Sequence, residues 1–165
     1  MQQLETISKI APVTSLQPPY SMLRRESENS FSYCEEKHIG IIAYSPLQKG
    51  LLTGKFTAEY LKNLDEADHR KRTDSFFKEP LFSLVLEYVD KLKKIANVYR
   101  IPLLQLAILW VLRKQQVTAA IMGLRNRKQV DDILSLPQSR QFDSIWDEVD
   151  SILNDYYNKV NNIRR

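Results

Sequence analysis

The sequence predicts an α/β fold with parallel strands, and two observations carry that prediction. Short β-rich runs alternate along the chain with segments whose apolar residues recur every three or four positions. The second and third runs are almost continuously apolar, the pattern of strands covered on both faces of a parallel sheet.

The first run is "APVTSLQ" (11–17), and Pro18 with Pro19 closes it, because proline cannot donate to a sheet ladder. The other two are "IGIIAYS" (39–45) and "VTAAIMG" (117–123). Residues 56–80 have no period and mix charges of both signs over a length unusual for a plain connection, so a lid or a mobile, disordered loop is expected there. Leu81, Val85, Tyr88, Val89, Leu92 and Ile95 then form one helical stripe, and Pro102 opens a more buried helix through Leu106, Leu109, Trp110 and Arg113. Asn126 suits the N-cap of a short helix with Val130, Ile133 and Leu134 inward. Asp143 suits the cap of a last helix whose stripe is Ile145, Val149, Ile152, Tyr156 and Val160.

With 165 residues, 43% of them hydrophobic, the chain is expected to be one domain, residues 1–165. Its net charge of +4 is spread over Arg24 with Arg25, Arg70 to Arg72, Arg125 to Lys128 and Arg164 with Arg165, rather than gathered on one face as nucleic-acid binding requires. The single cysteine, Cys34, cannot form an internal disulfide and suits a reducing compartment. The opening residues lack the basic patch and apolar core of a signal peptide, and no apolar run reaches membrane-spanning length. The expectation is a soluble, cytoplasmic protein with neither a nucleic-acid nor a membrane partner. Three parallel strands leave two open edges, whereas a closed (β/α)₈ barrel takes about 250 residues. The chain therefore reads as part of a larger arrangement.

Ligands of parallel α/β folds bind beyond the carboxyl ends of the strands. Those ends are Gln17 to Ser21, Tyr44 to Gly50 and Gly123 to Arg127. They offer a side-chain amide, an aromatic face with a hydroxyl, and an arginine before a helix start, where unpaired N–H groups favour a phosphate. Gly50, Gly54 and Gly123, three of the four glycines in the chain, fall in these segments. Together they suit a flat polar heterocycle with a phosphate tail. No glycine-rich fingerprint of the Rossmann or P-loop type is present.

At these same residues the sequence resembles the aldo/keto reductases, in the branch with bacterial oxidoreductases and the potassium-channel β subunits. "SLQPPYSMLRR" (15–25), "CEEKHIGIIAYSPLQKGLLTGKF" (34–56) and "LLQLAILWVLRKQQVTAAIMGLRNRKQVDDIL" (103–134) are similar to the family's sixth, seventh and eighth strand regions, in order and spacing. The resemblance implies an incomplete TIM (β/α)₈ barrel, strands 6 to 8 with their helices and the C-terminal helix, that binds NADP(H). It implies that Gln17 hydrogen-bonds the nicotinamide carboxamide, that Tyr44 stacks on the ring, and that Ser45, Pro46 and Leu47 line the pyrophosphate. It places Lys55 in the arm that folds over the dinucleotide, and Gly123, Arg125, Gln129 and Asp132 at the adenosine end, with Arg125 on the 2′-phosphate. The chain departs from the family pattern at Ile133, where asparagine is frequent, and at Gln48 and Lys49, where small residues are commoner.

The family's catalytic tyrosine, lysine, aspartate and histidine come from its first four strands, which this chain does not match. Reduction of a carbonyl needs a general acid for the developing alkoxide, so the resemblance implies a C-terminal half that is inactive alone, with no catalytic residue of its own. Substitutes within the chain are weak. Cys34 and His38 stand four apart on an expected helix but are too few for a metal site, and no metal is expected. His69 falls in a charged loop, Tyr20, Tyr88, Tyr99, Tyr156 and Tyr157 suit packing with wet hydroxyls, and Trp110 and Trp146 suit core anchors. Two readings follow: an NADP(H)-dependent reductase of aldehydes or ketones present as its C-terminal half, or a non-catalytic nucleotide-binding or interaction module. The second would join a missing N-terminal half, or a second copy, through open strand edges.

Overall fold

In the computed structural model residues 2–137 and 143–163 are described, and they form two compact units, Met1–Gln48 with Ala107–Leu136 and Lys49–Leu106 with Pro137–Arg165. The first unit holds the sheet. Strands β1 (Ser15–Leu16), β2 (Gly40–Tyr44) and β3 (Val117–Ile121) lie parallel in the order β1-β2-β3.

β1 is shorter than the run that predicted it, because two prolines follow one residue after its end. The pairing nonetheless continues through carbonyls: Pro18 O accepts from Tyr44 N–H at 3.0 Å, and Tyr20 N–H donates to Tyr44 O at 3.1 Å. Between β2 and β3 the register shifts at Ile41/Ile42, a bulge that sets Tyr44 beside Ile121. Gly40 permits the close approach of the two strands there, since a Cβ on it would stand 3.2 Å from Thr118 Oγ1. Ile41 and Ala43 face the buried side of the sheet. Trp110, Tyr20, Met22 and Phe31 complete the core around them, with the Tyr20 ring 5.0 Å from Phe31 and 5.4 Å from Trp110.

Helices α1 (Gln2–Ser8) and α2 (Phe31–Glu36) also belong to this unit. α2 ends before His38, which is exposed at φ 55°, whereas Cys34 is buried. The two do not share a helix and form no pair.

The second unit is helical. Residues 56–80, expected to be a lid or loop, carry α3 (Ala58–Lys62), α4 (His69–Thr73) and a 3₁₀ turn over Ser75–Phe77. The side chains of Thr57, Asp68 and Asp74 cap these turns by accepting from Tyr60, Arg70 and Phe76 N–H. Phe56, Phe76 and Phe77 are buried, with the Phe56 and Phe77 rings 5.2 Å apart. Lys49 Nζ meets Asp74 Oδ2 at 2.9 Å, and Lys49 also lies 3.5 Å from His69 Nδ1.

α5 (Leu81–Val98) packs along α8 (Asp143–Ile163) by Val85, Tyr88, Val89 and Leu92 against Ile145, Val149, Leu153 and Tyr156. The expected stripes hold, except that Phe82 and Leu153 are buried where Leu81 and Ile152 are only half-buried. Trp146 is half-buried rather than a core anchor, and the Asp143 side chain lies outside the described residues. Across the two helices Lys91 pairs with Asp155 at 2.8 Å and Lys159 with Glu87 at 2.6 Å.

α6 (Leu103–Leu112) begins after Pro102, whose carbonyl accepts from Gln105 and Leu106 N–H, and Leu106, Leu109 and Trp110 are buried as expected. α7 (Arg127–Leu134) follows β3 in the first unit, and Asn126 caps it, with Oδ1 accepting from Gln129 N–H at 3.0 Å. Its expected inward face is not inward: Val130 is 38% exposed and Leu134 79%, and no residue of the helix is buried. Of the three residues expected inward only Ile133 is half-buried. Among the described residues no single helix is long and apolar enough to cross a membrane.

Candidate functional site

Register brings the three strand ends together. Pro19 bridges Tyr44 on one side of β2, and Tyr44 pairs with Ile121 on the other, so Gln17, Tyr44 and Gly123 close three adjacent strands of one unit. Alternation puts Ile41 and Ala43 into the core and turns Tyr44 outward, where it is 40% exposed. Gln17 is exposed, Ser45 and Leu47 are half-buried and Pro46 is buried. Lys55 is exposed and belongs to the second unit.

The turn after β2 is unusual in its backbone. Ser45, Gln48 and Lys49 have φ of 56°, 44° and 53°, and Gly50 has φ 99°. Left-handed geometry is free to glycine and costly to residues with a Cβ, and it concentrates where surrounding structure over-determines it. Gln48 N–H closes the turn on Ser45 O at 2.9 Å.

Behind this turn stands a polar network that holds the loop after β1. Tyr20 is wholly buried and its hydroxyl donates to Glu28 Oε1 at 2.6 Å, so it is not a wet tyrosine. Arg25 grips the same carboxylate through Nε at 3.2 Å and Nη2 at 2.8 Å, and Lys114 lies 3.8 Å away. Burial, followed by the hydrogen bond to Glu28, pushes the Tyr20 hydroxyl far above the ordinary tyrosine range. Burial alone would raise Glu28 too, but the hydrogen bonds from Arg25 and Tyr20 outweigh it and hold the carboxyl below its usual range. Tyr20 is thus committed as a donor to Glu28 and is no free acid. The Tyr88 and Tyr156 hydroxyls are also buried, while Tyr99 donates to Glu148 at 2.8 Å.

The third strand end is built differently. Arg125 N–H donates to Gln129 Oε1 at 2.6 Å, which folds the loop onto the first turn of α7, and Asp132 pairs with Lys128 at 2.9 Å. The Arg125 guanidinium is exposed and has no partner among the described residues. Gly123 is not in the left-handed region, and a Cβ on it would meet nothing within 4 Å, so the fold itself does not require glycine there. Open space over Gly123, a free guanidinium and a helix start without acidic residues fit an anionic group lying against the loop. The structure therefore brings nine of the ten candidates into one unit. Sequence reasoning missed Glu28 and Arg25 as the support of Tyr20, although the three-residue spacing of Arg25 and Glu28 was a readable signal.

Comparison with known proteins gives the following matches. The model of the aldo/keto reductase family matches residues 1–154. The aldo-keto reductase YhdN of Bacillus subtilis is 34% identical over 133 residues, 79% of this chain and 39% of that protein. The aldo-keto reductase yakc [NADP(+)] of Schizosaccharomyces pombe is 30% identical, over 74% of this chain and 36% of its own length. A probable voltage-gated potassium channel subunit beta of Arabidopsis thaliana is 31% identical, over 78% and 39% respectively. The solved glycerol dehydrogenase AKR11B4 of Gluconobacter oxydans superposes with a TM-score of 0.79 at 27% identity, covering 94% of this chain and 46% of that one. The chain thus spans less than half the length of these relatives.

Proposed function

The chain belongs to the aldo/keto reductase family, and on that premise we propose that it is the C-terminal portion of a reductase barrel that binds NADP(H) along the ends of its sixth, seventh and eighth strands. The observation that supports the reading most is the charge at the start of α7. Arg127 and Lys128 pair with Asp131 and Asp132 one turn on, whereas the exposed Arg125 guanidinium just before the helix start is left to meet a phosphate, with no acidic residue in the first turn to oppose it. A relative's name prints NADP(+) as its cofactor.

In this reading Arg125 takes the 2′-phosphate, and Gly123 lets the adenosine end lie close to the backbone, with Gln129 and Asp132 beside it. Ser45, Pro46 and Leu47 line the diphosphate. Tyr44 offers the exposed ring face for the nicotinamide and Gln17 its amide for the carboxamide. NADPH supplies the hydride for reduction of an aldehyde or ketone. The carbon receiving it develops an alkoxide that must be protonated, and this reading assigns the family's tyrosine, lysine, aspartate and histidine set to no residue of this chain. The chain alone is therefore expected to bind cofactor without turning over a carbonyl such as 4-nitrobenzaldehyde.

The test is a thermal melt with and without NADPH, since a ligand bound only by the folded form raises the midpoint. A cooperative melt that NADPH moves upward supports the reading, and a melt indifferent to saturating NADPH rejects it. A second reading is favoured by one feature: β1 and β3 each have a side with no further strand among the described residues. A non-catalytic module that pairs there with an N-terminal half or a second copy would elute above monomer size, and a strict monomer that never gains carbonyl reduction on mixing with a reductase's N-terminal half counts against it.

A further inference from the structure

The Tyr44 ring is aimed by its backbone. It is 40% exposed, and among the described residues its hydroxyl has no hydrogen bond and its ring no aromatic neighbour. Both backbone polar groups of Tyr44 are taken by the loop after β1: its N–H donates to Pro18 O at 3.0 Å, and its C=O accepts from Tyr20 N–H at 3.1 Å. Pro18 and Pro19 have no N–H to give, so Tyr20 supplies the donor on that side.

The loop is in turn tied down, residue by residue, by the segment that follows it. Pro19 O accepts from Ser27 Oγ at 3.0 Å, and the Tyr20 hydroxyl donates to Glu28 Oε1 at 2.6 Å. Ser21 N–H and C=O pair with the backbone of Arg24, each at 3.0 Å. Ser27 and Glu28 are themselves fixed in the 3₁₀ turn Glu26–Ser30, where Ser30 Oγ donates to Ser27 O at 2.7 Å and Arg25 grips the Glu28 carboxylate.

We propose that Ser27 and Glu28 are positioning residues of the cofactor site: by holding Pro19 and Tyr20 they fix the backbone of Tyr44 and so aim its ring at the nicotinamide. The inference rests on the NADP(H) reading of the strand ends. Side chains in a site must be held to within about 0.5 Å and 10–20° of their working geometry, and a ring without side-chain bonds depends on its backbone for that. Ser27 and Glu28 act through the chain and not by touching the ligand. Nothing in the residue pattern announces the role, because the link runs through the fold and not along the sequence.

The experiment compares the full chain with Tyr20→Phe, which keeps the buried ring but removes its tie to Glu28, with Ser27→Ala, and with Glu28→Gln, which keeps an acceptor for the Tyr20 hydroxyl. Each is titrated by calorimetry with NADPH and with 2′,5′-ADP, which carries the adenosine end without the nicotinamide. Tyr20→Phe and Ser27→Ala should each weaken NADPH roughly two- to tenfold, the scale of one hydrogen bond, and leave 2′,5′-ADP unchanged. Glu28→Gln should restore most of the NADPH affinity that Tyr20→Phe loses. Combined with Tyr44→Ala, neither Tyr20→Phe nor Ser27→Ala should weaken NADPH any further, because the ring they aim is gone. NADPH binding at wild-type strength by both Tyr20→Phe and Ser27→Ala overturns the proposal. An equal loss for both ligands overturns it too, as does a loss of NADPH that persists in the Tyr44→Ala chain, since general loosening of the fold predicts either. A wild-type chain that binds neither nucleotide removes the cofactor reading itself and the proposal with it. A wild-type chain that binds both, beside unaffected variants, removes the proposal alone.

Discussion

The rim after β2 and the segment from Gly123 to Leu134 both supply candidate cofactor contacts, yet they are built in opposite ways. The first rests on a closed core: Trp110 and Tyr20 are fully buried, and the Tyr20 hydroxyl, Glu28 and Arg25 form a bonded set behind it. The second has no buried residue in its helix, and its order comes from short-range bonds among Arg125, Asn126 and Gln129. One region is thus held by tertiary packing before any ligand arrives, and the other by local capping alone. Preorganised parts of a site add affinity by lowering the cost of ordering, whereas locally held parts gain order on binding.

The largest effect should come from breaking the packed side. Trp110→Ala removes a wholly buried indole between Tyr20 and the Arg113 guanidinium, and should cost about 3–5 kcal/mol in a urea titration. Next comes Glu28→Ala, which strands the Tyr20 hydroxyl and removes the carboxylate partner of Arg25, and should cost about 1–3 kcal/mol. The same carboxyl gives the packed side a pH signature. Because its folded pKa is depressed below the ordinary 4.5, its contribution is present above that value and is lost as the pH falls through the folded value. Melting points measured downward from about pH 5 should therefore fall further for wild type than for Glu28→Gln.

Smaller effects belong to the other side. Asn126→Ala should cost about 1 kcal/mol and speed amide exchange in α7 while leaving β2 unchanged. Leu134→Ala should shift stability by less than about 0.5 kcal/mol, because the side chain is 79% exposed. A cost from Leu134→Ala as large as that from Trp110→Ala would erase the contrast between the two regions.

The same contrast explains what the sequence discloses. Strands β2 and β3 are legible because a strand covered on both sides must be apolar throughout, and β1 because two prolines end it. The caps at Asn126, Thr57, Asp68 and Asp74 are equally local, and the last three were the available signal that residues 56–80 carry helical turns. Phe56, Phe76 and Phe77 bury without any period, so their role emerges only from packing. Tyr20 looks like an ordinary wet tyrosine until Glu28, eight residues on, is folded against it. The apolar side of α7 reads as inward in the sequence because a period names a side and not a partner. The candidate contacts on the strand ends are legible one strand at a time, and the register of β1, β2 and β3 is what sets Pro19, Tyr44 and Ile121 level, with Gln17 two residues before that level and Gly123 two residues after it.

The central claim is that this chain holds NADP(H) at those strand ends, with Arg125 reading the 2′-phosphate. The direct measurement is a calorimetric titration of the chain with NADPH and with NADH, repeated on Arg125→Met. The account predicts that NADPH binds more tightly than NADH and that Arg125→Met removes the difference without changing the melt of the unliganded protein. NADPH and NADH binding equally to the wild-type chain, or neither binding at all, would contradict it.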